Sequence, residues 1–78
     1  MLFRSNSAIF AFVLKSRQLV SIKILTTSGQ LVATLIDEEL NTGEHLVRLN
    51  ATDLSPGIYF YQFIVADRFQ AGALIIHK

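Results

Sequence analysis

The sequence predicts an all-β fold, a small antiparallel sandwich of about six to seven strands. Apolar and polar residues alternate with a period of two in one run after another, and no segment keeps a helical period. Turn chemistry built around Gly29, Gly43 and Pro56-Gly57 separates these runs. The third observation is the strand after Pro56-Gly57. Residues 58–65 are aromatic and β-branched apart from one polar residue, Gln62, which predicts a central strand covered on both faces.

The first run, Ser7–Leu14, places Phe10, Phe12 and Leu14 on one side and Ile9, Ala11 and Val13 on the other. A polar break at residues 15–18 leads to residues 19–26. There Val20, Ile22 and Ile24 face one way and Ser21 and Lys23 the other, as in a half-buried strand. Thr27-Ser28-Gly29-Gln30 reads as a hairpin turn, with Gly29 free to take positive φ. A strand over residues 31–36 follows, then an acidic loop, Asp37-Glu38-Glu39-Leu40-Asn41-Thr42-Gly43. Residues 45–49 make the next strand, burying Val47 and Leu49 while Arg48 faces water. Asp53, Ser55, Pro56 and Gly57 form a tight entry turn: proline fixes φ, glycine accepts positive φ, and the two polar side chains bond nearby backbone. After residues 58–65, Asp67-Arg68 reads as a hairpin tip. Residues 69–77 close the domain, with Gly72 a bulge or bend. Tyr59, just past the turn, matches the tyrosine corner of immunoglobulin-like sandwiches, whose hydroxyl bonds backbone upstream. Its ring is expected to pack. Tyr59, Tyr61 and Phe63 share one face of the strand and Ile58, Phe60 and Ile64 the other. Because a two-layer sandwich has one interior, one of these faces is expected to lie outward.

A chain of 78 residues is one domain. It buries roughly 60% of the surface its unfolded form exposes, so only a dense core stabilises it. The composition supplies one: 51% of residues are hydrophobic, including six Phe and two Tyr, which excludes a disordered segment. A net charge of +1, with the basic residues scattered along the chain, gives no electrostatic case for nucleic acid. There is no cysteine, so disulfides, thiolate catalysis and sulfur-ligated zinc are excluded. Arg4 followed by apolar residues 8–14 imitates a secretory signal. The stretch is short and Lys15-Ser16-Arg17-Gln18 stands where small residues would define cleavage, so it reads as a strand and no export signal is expected in this chain.

No catalytic constellation is present. The acids Asp37, Glu38, Glu39 and Glu44 gather in or beside one loop, without the oxygen-ligand spacing calcium requires. His45 and His77 are far apart and read as structural rather than as metal ligands. The glycine spacing matches no phosphate-cradling loop. Without basic residues interleaved, Phe60, Tyr61 and Phe63 read as core rather than as base-stacking platforms. The chain is expected to be non-enzymatic, with no cofactor and no metal.

Val20-Ser21-Ile22-Lys23-Ile24 followed by Gly29-Gln30-Leu31-Val32-Ala33-Thr34-Leu35 resembles the "V-S-L-x-V-Y-D-x-x-G-x-x-V-A-T-L" half of type A C-terminal sorting domains of the type IX (Por) secretion system. Thr42-Gly43-Glu44-His45-Leu46-Val47-Arg48-Leu49-Asn50-Ala51 is similar to that family's "A-G-x-H-x-V-x-F-D-A". Leu54-Ser55-Pro56-Gly57-Ile58-Tyr59-Phe60-Tyr61 is similar to its "L-x-S-G-V-Y-F-Y". The chain also ends in a short apolar strand closed by a lysine, Leu74-Ile75-Ile76-His77-Lys78, as these domains do. Two departures stand out. Only a trace of the family's opening "N-P-F-N-P-S-T" survives in residues 2–7, and Lys15 stands where proline is common.

The resemblance implies residues 1–7 as an N-terminal arm, the remnant of a linker, and residues 8–78 as a β-sandwich sorting domain. It implies an address without chemistry of its own, directing an exported cargo across the outer membrane from the periplasm to the cell surface or beyond. The partners implied are the outer-membrane export machinery, a separate processing peptidase and cargo covalently joined upstream; the apolar surplus adds self-association. Gly29, Gly43, Pro56, Gly57, Tyr59 and Tyr61 are the motif residues, expected to be structural. Leu74, Ile76 and Lys78 are the candidate recognition residues. The start at methionine without cargo leads to the expectation that this is the tail of a longer or disrupted gene. Two other readings stand beside this one. One is an immunoglobulin-like structural module like that of the flagellar hook-capping protein, whose usual "W-D-G" is replaced here by Leu49-Asn50-Ala51. The other is an orphan fragment.

Overall fold

A computed structural model describes residues 2–3, 7–50 and 54–76. Seven strands follow in order: β1 (Leu2–Phe3), β2 (Ser7–Leu14), β3 (Gln18–Thr26), β4 (Leu31–Leu40), β5 (Gly43–Asn50), β6 (Gly57–Val65) and β7 (Arg68–Ile76). They form two unequal sheets. The larger has the order β1-β7-β6-β3-β4, and the smaller is the pair β2-β5. Every pairing is antiparallel except β1 with β7, which is parallel through Leu2↔Ile75 and Phe3↔Ile76. That short parallel pair departs from the antiparallel expectation, and it draws Leu2 and Phe3 of the expected arm into the sheet.

The core lies where the inward row of β2 meets the larger sheet. Val20, Ile22, Ile24 and Leu74 have no exposed surface, and Ala8, Phe10, Leu14, Leu49 and Ile76 complete the buried set. The alternation read along β2 is the one observed: Phe10 and Leu14 are buried and Phe12 partly so, whereas Ile9, Ala11 and Val13 are exposed. Aromatic edges lock the layers together. Phe10 meets Tyr61 at 5.5 Å between ring centroids, and Phe12 meets Phe63 at 4.9 Å, both edge to face.

Turn chemistry sets the connections. Gly29 has φ 92° in the β3–β4 hairpin, closed by Gly29 N–H donating to the Thr26 carbonyl at 3.0 Å and Thr26 N–H to that of Gln30 at 2.8 Å. The tip of the β6–β7 hairpin is Ala66-Asp67, one residue earlier than the sequence suggested, because Arg68 already pairs with Val65. Ala66 there takes φ 53°, and its N–H donates to the Leu19 carbonyl at 3.1 Å, which ties the tip to β3.

Four further expectations are corrected. The acidic residues Asp37, Glu38 and Glu39 are not a loop. β4 runs through them to Leu40, because they pair in register with Ser21, Val20 and Leu19, and the connection shrinks to Asn41 and Thr42. Sheet pairing overrides the low strand preference of acids, and their charges line an exposed sheet edge, where they oppose edge-to-edge association. Gly72 is not a bulge, since the β6–β7 register runs unbroken from Gly57↔Ile76 to Val65↔Arg68. Ser21 does not face water. It is 8% exposed between Ile64 and Asp37 on the flanking strands, and its Oγ has no hydrogen-bond partner among the described residues. Finally, β6 is central in its sheet but covered on one face only, as the surface below shows.

Candidate functional site

Strand register sorts β6 and β7 into two rows. The inward row pairs Tyr59 with Leu74, Tyr61 with Gly72 and Phe63 with Gln70. The outward row pairs Ile58 with Ile75, Phe60 with Ala73 and Ile64 with Phe69. Ile58 is 55%, Phe60 41%, Phe69 62% and Ile75 37% exposed. This apolar face continues onto Leu25 of β3, which pairs with Phe60 and Leu31. Lys23 and Gln62 pair within it and supply polar points. Exposed apolar surface of this kind occurs at protein-interaction sites and ligand grooves.

The motif residues lie behind this face and shape it. Gly43 and Gly57 have φ 127° and 150°, conformations that favour glycine, and each begins a strand. Pro56 is exposed immediately before β6. Tyr59 Oη donates to the Ser55 carbonyl at 2.7 Å, the corner contact that holds the entry turn against the strand. Ser55 contributes through its carbonyl, and Asp53 lies outside the described residues. Tyr59→Phe is therefore expected to lower stability by about 1 kcal/mol, since the partner carbonyl can still reach water. Urea denaturation checks this, and an unchanged midpoint would show that the corner bond carries no weight.

Of the candidate recognition residues, Leu74 and Ile76 are 0% and 2% exposed, so both point into the core. Ile75 between them is the one presented outward. Lys78 lies outside the described residues, as does His77. His45 Nε2 lies 2.7 Å from the Asn41 carbonyl, and its ring stacks on Phe12 at 5.5 Å. It thus braces the β4–β5 connection. Arg17 holds the same region from the other side, donating from Nε to Glu39 at 2.9 Å and from Nη1 to Asn41 Oδ1 at 3.0 Å. Among the described residues no three of His, Asp and Glu gather as a metal site would require.

A family model described as a secretion system C-terminal sorting domain matches residues 6–77. The chain belongs to this family. No curated protein and no solved structure matches it. The sorting domain is thus a non-catalytic C-terminal domain of the type IX (Por) secretion system, working with that system's export machinery, and it marks a secreted or cell-surface protein. The match spans both sheets, from the start of β2 through β7, and of the strands leaves out only the short β1. Sequence reasoning found the motif residues through their turn chemistry. It missed Phe69 and Ile75 as surface residues, because an apolar run reads the same whether its outer face is covered or bare.

Proposed function

We propose that the folded sandwich is the export address of a cargo protein joined upstream of it. In this reading the domain crosses the periplasm with its cargo, is read by the outer-membrane export machinery, and is removed or exchanged by a separate peptidase of the transpeptidase kind. The exposed apolar row Ile58, Phe60, Phe69 and Ile75 is the observation that carries the reading. A 78-residue domain of this kind has little reason to leave four large apolar side chains in water unless something covers them. Leu74 and Ile76 belong to the address through β7, which they anchor in the core while Ile75 is held outward, and Lys78 is a candidate for direct reading of the tail. The same face supports weak self-association before a partner takes it.

The test joins residues 1–78 behind a signal peptide and a neutral reporter in a host with this export system. The reporter is expected outside the outer membrane. Removing His77 and Lys78 separates two forms of the address. Loss of export with an intact sandwich means that the tail is read directly, whereas loss only on unfolding means that the folded surface is read. A reporter that stays in the periplasm behind the intact domain would overturn the proposal.

A further inference from the structure

We propose that the open side of the smaller sheet is a strand-acceptor site, which takes an extended segment of a partner protein carrying an acidic residue beside alternating apolar ones. The inference rests on the reading that the folded surface is the address, and it adds to the outward apolar row a second contact surface on the inward side of β7.

The two sheets are mismatched, five strands against two. The aromatic contacts of Phe10 with Tyr61 and Phe12 with Phe63 set β2 above β6, and β5 lies alongside β4. The free edge of β2 therefore points towards β7. Among the described residues β2 pairs with β5 alone, so the N–H and C=O groups on its other edge have no strand partner. A strand takes about 4.8 Å of sheet width, so a third strand beside β2 would sit over β7.

Among the described residues, the inward row of β7 has no strand of the smaller sheet over its first half. Leu74 and Ile76 are buried, but Gln70 and Arg68, in the same row, are exposed. A cleft of about 800 Å³ opens there between the end of β2 and the β6–β7 hairpin. Phe12, Phe63 and Val65 give it an apolar floor, and no residue of β5 lines it. Lys15 and Arg68 stand on its rim with one carboxylate, Asp67, and among the described residues neither cation has an ion pair. An unpaired edge supplies main-chain hydrogen bonds, an apolar floor accepts alternate side chains, and two free cations favour an acidic residue. These are the elements of recognition by strand addition. The acidic edge of β4 on a second copy is the competing occupant, and the test below separates it.

The probe is a capped peptide, Glu-Thr-Val-Thr-Val-Thr, titrated into the full 78-residue chain with amide chemical shifts and hydrogen exchange as readouts. Saturable shifts in β2 and at Arg68 and Gln70 are expected, with slowed exchange at alternate amides of β2. The doubly reversed variant Lys15→Glu with Arg68→Glu should keep the fold, since both side chains are exposed, and weaken binding about tenfold or more. The same peptide with Lys in place of Glu should bind as weakly to the original chain. Absence of shifts, or shifts without slowed exchange in β2, would overturn the site. So would protection of β2 that rises with protein concentration alone, which would assign the edge to a second copy. In the export assay, normal export of a reporter carrying the doubly reversed variant would overturn the cleft as part of the address while leaving the sorting role intact. Retention of the reporter behind the unaltered domain would instead count against the sorting role, and the peptide titration then decides the cleft by itself.

Discussion

Ile22→Ala is expected to lower the stability of the domain by about 2–5 kcal/mol, with the upper half of that range favoured by its position. Ile22 has no exposed surface and sits mid-strand in β3, opposite Ile36 on one side and Phe63 on the other. Both flanking strands are hydrogen-bonded to β3 along most of its length, so the backbone cannot collapse to fill the cavity. A domain of this size is stable by roughly 4–12 kcal/mol in total, and the variant should therefore populate unfolded chain near physiological temperature. Leu46→Ala removes the same type of apolar surface from a residue that is 74% exposed, and it should stay within about 0.5 kcal/mol of the original. Urea denaturation of the two variants decides the matter. Equal midpoints would mean that the buried row of β3 is not the core.

That row was legible in the sequence because period-two alternation states which residues share a face. Val20, Ile22 and Ile24 follow from it, as does the division of β2 into Phe10 and Leu14 on one side and Ile9 and Val13 on the other, though which side is buried does not. Alternation does not state which strands are neighbours, so neither the five-against-two division nor the parallel β1–β7 pair was readable. Local composition misled where tertiary pairing overrode it. Asp37, Glu38 and Glu39 have poor strand preference, yet the register with β3 extends β4 through all three. The surface shows the same limit. Ile58, Phe60 and Gln62 alternate with inward aromatics, and an apolar residue carries no mark of whether its face is covered.

The family's motif residues and the proposed address occupy different places. Gly29, Gly43 and Gly57 hold turn or strand-entry conformations, Tyr59 locks the entry to β6, and Tyr61 packs on Phe10. All of them act on shape. The outward positions Ile58, Phe60 and Ile75 lie one residue away from motif or core positions, so the pleat that buries one set presents the other. A receptor that reads the folded face depends on the motif without touching it.

The Tyr61–Gly72 pair puts that dependence to a test. A Cβ on Gly72 would lie 2.6 Å from Tyr61 Oη, 2.7 Å from Cε2 and 2.8 Å from Cζ, inside any normal contact distance. The ring is held from the other side of the core by its edge-to-face contact with Phe10. Gly72→Ala is expected to cost about 1–3 kcal/mol through overpacking, more than the roughly 0.4–1 kcal/mol that a glycine replacement gains through the unfolded chain. Gly72→Val, with a larger and branched side chain, should lose most of the folded population. The decisive comparison repeats Gly72→Ala in a Tyr61→Leu background, where the three clashing atoms are gone. There the alanine should be neutral or stabilising, with a coupling between the two sites of about 1–3 kcal/mol. Equal losses in both backgrounds would show that β7 needs glycine for its backbone and not for the tyrosine lying across it.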